Sequence, residues 1–228
     1  MQDILPMQIE VRELDPQECR RLRFGGGDVG LGELMRIGWL TKRTKVLGPG
    51  WRTAIWLQGC TLGCKGCWNE EMWPTEGGET MGVDEVLQFV INGSETEGVT
   101  FLGGEPLQQE DSLLELLLLI RRETEKSVMI YTGYVMEELN ETQRACLSLA
   151  DIVVTGRYIE SLRDLGLVWR GSSNQKVTFV TGRYNSAEMV ECRQVEIHVS
   201  KDGSIVIYGF PDGGDNEWIP IHLNDDGS

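Results

Sequence analysis

The chain has 228 residues, 40% of them hydrophobic, enough to bury a core as one domain with a small appendage. A formal net charge of −15 argues against a nucleic-acid partner or an anionic membrane surface. The longest apolar run, residues 116–120, sits between Glu115 and Arg121 and is far too short to cross a bilayer. Residues 1–6 place no basic region before an apolar one, so no secretion signal is expected and the cytoplasm is the expected compartment.

Residues 7–14 alternate as an edge strand would, and the glycine-rich run 25–32 follows as a linker, since no Gly-Lys-Ser/Thr makes it a phosphate loop. The basic groups Arg20-Arg21-Arg23 and Lys42-Arg43-Lys45 read as solvated loop surface. Gly48-Pro49-Gly50 is a turn, residues 51–57 the first core strand, and 73–78 irregular. Residues 83–91 carry apolar positions at helical spacing and end at Asn92-Gly93. A second strand over 98–102 runs into Gly103-Gly104-Glu105-Pro106. The helix at 112–123 is apolar nearly all round and should be buried on more than one side. A third strand is expected at 128–131, a helix at 136–149, a fourth strand at 152–154, a short helix at 159–164 and a strand at 177–180. Strand and helix in regular succession imply a parallel sheet with right-handed crossovers, whose ligands gather at the carboxyl ends of the strands. Beyond Gly182, residues 195–199 and 205–208 alternate with period two around Lys201-Asp202-Gly203, which predicts a β-hairpin followed by the acidic tail 224–228.

Three of the six cysteines crowd into one loop after the first strand: Cys60, Cys64 and Cys67, spaced C-x3-C-x2-C. In a reducing compartment, thiols so arranged are metal ligands before they are disulfides. Three thiolates can converge on one centre and leave a coordination position open, as a reactive site needs. A zinc site would want a fourth Cys or His nearby, whereas His198 and His222 are remote in sequence. A plain electron-transfer cluster remains an alternative. Cys19, Cys146 and Cys192 are scattered and read as ordinary cysteines, so one cluster is expected.

The cysteine loop, with Gly103-Gly104-Glu105-Pro106 at the next strand end, resembles the radical S-adenosylmethionine (SAM) superfamily. Gly48-Pro49-Gly50-x-Arg52, Gln58-Gly59-Cys60 and Cys67-x-Asn69 are similar to the glycyl-radical-enzyme activases. Gly66, Tyr131-Thr132-Gly133-Tyr134, Gly156-Arg157-Tyr158-Ile159-Glu160, Leu162-Arg163-Asp164 and Trp169-Arg170-Gly171-Ser172-Ser173-Asn174-Gln175 are similar to the activating proteins of anaerobic ribonucleoside-triphosphate reductase. The resemblance spans about residues 36–180. It implies an α/β fold, an open, partial parallel β/α barrel with the hairpin appended. The domains would be an extension and linker over 1–35, a core over 36–182 and an appendage with tail over 183–228.

It further implies one [4Fe-4S] cluster on Cys60, Cys64 and Cys67, reductive cleavage of SAM to a 5′-deoxyadenosyl radical, and hydrogen abstraction from a backbone glycine of a large anaerobic ribonucleotide reductase-like partner. A one-electron donor such as flavodoxin or ferredoxin would supply the reductant. Gly66 and Trp68 flank the last ligand where backbone approaches SAM, Gly103, Gly104 and Glu105 take its methionine end, and Thr132, Gly133 and Tyr134 line its adenosyl side. Arg52 would orient the cluster loop or neutralise charge. The segment 170–175 would shape the SAM pocket, form a docking edge or be structural. A stand-alone radical SAM enzyme acting on a peptide or small molecule, and a non-catalytic iron–sulfur carrier, are the alternative functions.

Overall fold

The structure, a computed structural model, describes residues 33–93, 95–189, 195–199 and 205–209. All lie in one compact unit, Glu33–Ser228. The strand expected at 7–14, the glycine-rich linker, the turn at 201–203, the acidic tail, Cys19, Cys192 and His222 fall outside the described residues.

In chain order the elements are β1 (Leu34–Thr44), β2 (Arg52–Leu57), β3 (Glu79–Gly82), α1 (Val83–Asn92), β4 (Gly98–Gly103), α2 (Glu110–Glu123), β5 (Ser127–Thr132), α3 (Glu141–Ser148), β6 (Ile152–Thr155), β7 (Lys176–Phe179), β8 (Val195–Val199) and β9 (Ile205–Gly209). Seven strands form a mixed sheet ordered β3-β1-β2-β4-β5-β6-β7. Its centre, β2-β4-β5-β6, is parallel, as the strand–helix alternation predicts. The flanking strands correct that expectation, because β1, β3 and β7 all pair antiparallel. For β7 the reason is the connection. Between Thr155 and Lys176 the chain holds only a short 3-10 turn, Glu160–Leu162, and returns from the end at which β6 stops. A parallel strand would need a crossover to the far end.

β1 has no counterpart in the sequence reading. Its inward residues Met35 and Ile37 alternate with exposed Leu34 and Arg36, but register shifts at Ile37/Trp39 and Thr41/Thr44 break the period along the strand. Lys42 and Arg43 are exposed as expected, though they stand on this strand and not on a loop. The helix expected over 136–149 is also interrupted. Met136–Glu138 is a 3-10 turn, and Asn140 caps a new helix by accepting from Gln143 N at 2.9 Å while Gln143 Oε1 accepts from Asn140 N at 3.1 Å. A reciprocal cap satisfies donors that an uninterrupted helix would have bonded internally.

The helices cover one face of the sheet. Val83, Val86, Leu87 and Val90 of α1, and Leu113, Leu116, Leu117 and Ile120 of α2, recur at i, i+3, i+4, i+7 and pack with Ile55, Leu57, Val99, Phe101, Val128, Ile130 and Val153. Cys146 is buried in this core. The other face carries Ala54, Trp56 and Leu102 against Leu47 and Tyr208, and Met129, Ile152 and Val154 against Trp169 and Tyr184. The β8–β9 hairpin, present where the period-two pattern put it, lies on this second face. The Tyr208 ring is 5.6 Å from that of Trp56, and Glu196 accepts from Thr44 Oγ1 at 2.7 Å and Lys45 N at 2.9 Å. Among the described residues no helix is long and apolar enough to cross a membrane.

Arg52 is fully buried and corrects an expectation. Its guanidinium donates to Thr100 Oγ1 (2.6 Å), Ser127 Oγ (2.9 Å), Val99 O (2.7 Å), Pro49 O (3.2 Å) and Ser127 O (3.3 Å). It therefore ties together the starts of β2, β4 and β5, at the end of β2 opposite the cysteine loop. Replacing Arg52 with Met strands these buried acceptors and should cost at least about 3 kcal/mol, or a fall in Tm of about 6–12 °C. Thermal denaturation reads this, and a loss below about 1 kcal/mol would contradict it.

Candidate functional site

The site is assembled at the carboxyl ends of β2, β4, β5 and β6. Parallel register sets it up: Leu57, which ends β2, pairs with Gly103, which ends β4, and Thr132 of β5 pairs with Thr155 of β6. The loops that follow all emerge at one edge.

The cysteine loop is anchored before it turns. Gly59 N donates to Met72 O at 2.8 Å, Cys60 N to Trp73 O at 3.0 Å, and the Gln58 side chain to Pro74 O at 2.8 Å. Gln108 donates from its amide to Thr61 Oγ1 at 2.7 Å and to Tyr134 Oη at 3.0 Å. Gly66 has a φ of 71°, the left-handed region, and a Cβ there would lie 3.1 Å from Glu160 Oε1. An aromatic side chain at this position would be strained by the backbone angle, whereas the exposed Glu160 side chain can move aside.

Cys60, Cys64 and Cys67 line one cavity together with Trp68, Gly103, Gly104, Glu105, Thr132 and Gly133. Gly66 and Tyr134 do not line it: Gly66 faces Glu160, and Tyr134 meets the Gln108 amide and the Arg157 guanidinium, 5.9 Å from its ring centre. Burial pushes the Cys60 and Cys67 thiols up, and the neighbouring acidic groups add to it. Such a set favours thiolates only when a cationic centre is present. Among the described residues no three His, Cys, Asp or Glu side chains are gathered as a single-ion site. A cluster places each thiolate on a different iron and so accepts more widely spaced sulfurs than one ion, whose donors sit within about 2.5 Å of it. Three thiols that share one cavity without being gathered for a single ion fit the cluster better than zinc.

Glu105 is 1% exposed. Its Oε1 accepts from Leu107 N at 3.0 Å and Thr132 Oγ1 at 2.8 Å, and its Oε2 from Gly133 N at 2.7 Å. Burial pushes its pKa up to about 7 against these three donors. A carboxylate offers about four acceptor positions, so one remains for a ligand. Gly104 is required by packing: a Cβ would lie 2.3 Å from Gly59 O and 2.9 Å from Met72 O, both backbone atoms. Gly104→Ala should therefore push the GGE loop off the cysteine loop. We expect ligand affinity to fall at least about tenfold while the helix–sheet core keeps its near-UV signal.

Several cavity residues carry no assignment from the sequence: Leu47, Leu102, Tyr131, Gly156 and Tyr158. Most lie within segments whose resemblance was legible, but Leu47 gave no signal. It is placed by Thr100 Oγ1, which donates to Leu47 O at 2.8 Å while accepting from Arg52. The segment 169–175 folds onto the loop after β6. Gln175 Oε1 accepts from Gly171 N (2.9 Å) and Ser172 N (3.2 Å), its Nε2 donates to Gly156 O (3.0 Å), and Asn174 Nδ2 donates to Arg157 O (2.8 Å). A Cβ on Gly171 would stand 3.1 Å from the Tyr158 ring. The segment is thus a bonded loop two of whose residues, Gly171 and Gln175, reach the cavity.

A family model described as a 4Fe-4S single cluster domain matches residues 46–178. The chain is 36% identical over 137 residues to the anaerobic ribonucleoside-triphosphate reductase-activating protein of Haemophilus influenzae, covering 56% of this chain and 87% of that one. It is 34% identical over 139 residues to the protein of that name from Escherichia coli, covering 58% and 90%. This chain belongs to that family. The namesake of bacteriophage T4 is 32% identical over 137 residues, covering 58% of this chain and 86% of the phage protein. Among solved structures, QueE from Escherichia coli overlays with a TM-score of 0.37 and 20% identity, covering 52% of this chain and 68% of that one. The chain is an iron–sulfur enzyme of this activating-protein family.

Proposed function

We propose that this enzyme cleaves SAM reductively at one [4Fe-4S] cluster held by Cys60, Cys64 and Cys67, and so generates a glycyl radical on an anaerobic ribonucleotide reductase-like partner. The observation that carries the reading is the shared cavity: three thiols of one loop face the Gly103-Gly104-Glu105 end of the neighbouring strand. A cluster held by Cys60, Cys64 and Cys67 would supply the one electron that reductive cleavage of the SAM sulfonium needs.

The chain's own residues bind and orient. Gly103 and Gly104 bring backbone close to the methionine end, and the remaining acceptor position of Glu105 takes the ammonium. Thr132 and Gly133 hold that carboxylate in place by donating to it. Trp68 walls the cavity beside Cys67, and Tyr134 acts at one remove, through Gln108, on Thr61 of the cysteine loop. Gly66 gives the loop the turn that brings Cys67 round. Leu47 and Leu102 supply an apolar wall that keeps water away. We read the mixed sheet as an open partial barrel over residues 36–182, whose unclosed side admits a peptide loop, with 183–228 as the appendage. The electron donor is a flavodoxin or ferredoxin in the same compartment, the cytoplasm.

The test is anaerobic. Protein reconstituted with iron and sulfide is reduced in the presence of SAM and assayed for 5′-deoxyadenosine, then mixed with an anaerobic ribonucleotide reductase and examined by electron paramagnetic resonance. Both the product and a glycyl-radical signal on the partner are expected. A reduced cluster that leaves SAM intact would sink the reading.

A further inference from the structure

Tyr131 belongs to the cavity but to none of the motifs' assigned roles. Strand alternation puts it, with Met129, on the sheet face opposite the helices, packed against the groups that hold Leu102, Trp56, Ile152 and Val154. Its hydroxyl is buried and has no hydrogen-bond partner among the described residues. Buried hydroxyls are nearly always paired, and a donor left alone costs free energy. Two polar groups of the cavity wall are engaged elsewhere: Thr132 Oγ1 donates to Glu105 at 2.8 Å, and the Gln175 side chain is held by Gly171, Ser172 and Gly156. The phenol also stays neutral, since burial raises its pKa. It is a protonated donor on a residue of the cavity wall, paired with no acceptor among the described residues.

We propose that Tyr131 is a positioning residue that donates a hydrogen bond to an oxygen of the adenosyl group of bound SAM. The inference rests on the SAM reading above. The methionine end is taken by the strand end of β4, and Tyr131 stands on the β6 side of it, pairing with Val154 and sharing the cavity with Gly156 and Gln175.

Tyr131→Phe separates this role from a structural one, because two readouts should move in opposite directions. Removing a buried, unpaired hydroxyl should raise the Tm of the cluster-free protein by about 2–4 °C. The same change should weaken SAM binding to the reconstituted, unreduced enzyme about 3–10-fold by calorimetry, and raise KM for SAM more than it lowers kcat. A variant with lowered Tm and unchanged SAM affinity would mean that the hydroxyl serves the fold, and the proposal falls. A raised Tm with unchanged affinity also overturns it. If the wild-type enzyme itself fails to bind SAM, the underlying reading is what has failed.

Discussion

Cys64→Ala should leave the protein folded and empty. Cys64 is half-exposed on a loop outside the core, so its truncation should change stability by no more than about 0.5 kcal/mol. Two thiolates cannot hold what three hold, because each occupies a separate iron. After anaerobic reconstitution we expect iron content and visible absorption at the level of unreconstituted protein, and 5′-deoxyadenosine at background. Cys146→Ala is the control. Cys146 packs in the helix–sheet core, where its Sγ lies 3.4 Å from Glu110 O, so losing it should lower Tm and spare the cluster. Full iron content in Cys64→Ala, or loss of iron in Cys146→Ala, would overturn the ligand assignment.

Glu105→Gln should weaken SAM binding about 10–100-fold at pH 8, the loss of one charge-assisted hydrogen bond to an ammonium group. Its pH dependence is the sharper signature. The folded carboxyl titrates at about 7, above its ordinary value of 4.5, because burial disfavours the charge. Between these values the folded protein takes up the proton before the unfolded chain does. The wild-type apoprotein therefore gains stability relative to Glu105→Gln as the pH falls from 7 toward 4.5, and that gain is lost as the pH rises through 7. SAM affinity runs the other way, since the ammonium group needs the anion, so wild-type binding weakens below about pH 7. In Glu105→Gln both slopes should flatten over this window. Denaturant unfolding at a series of pH values checks the first, and calorimetric titration the second. Parallel pH profiles for the two proteins would remove Glu105 from the binding site.

Much of this architecture is written locally. Helix α1 and helix α2 show their buried stripe as residues three and four apart, and the β8–β9 hairpin shows alternation with period two. The cysteine spacing and the Gly103-Gly104-Glu105 turn are short enough to be legible without any neighbour. The break at Asn140 is also local, but a cap competes with helix continuation on nearly equal terms, and periodicity alone favours the longer helix.

Other features depend on partners distant in the chain. Nothing in residues 34–44 reveals that they pair with both β2 and β3, because bulges interrupt the alternation that would have shown it. The direction of β7 follows from where its connection could run and not from its own four residues. Trp169 holds a φ of 55°, strained for a residue with a Cβ, since it is buried against Met129, Ile152, Val154 and Tyr184. Arg52 looks like a loop companion in sequence and is a buried staple at the far end of three strands. The sequence by itself determined the crowding of three cysteines into one loop, the Gly103-Gly104-Glu105 turn and the elements that carry them, since each is encoded within a few residues. Only the tertiary structure decided that Leu47, Tyr131, Gly171 and Gln175 share their cavity, because strand register and loop return bring together positions that no local pattern connects.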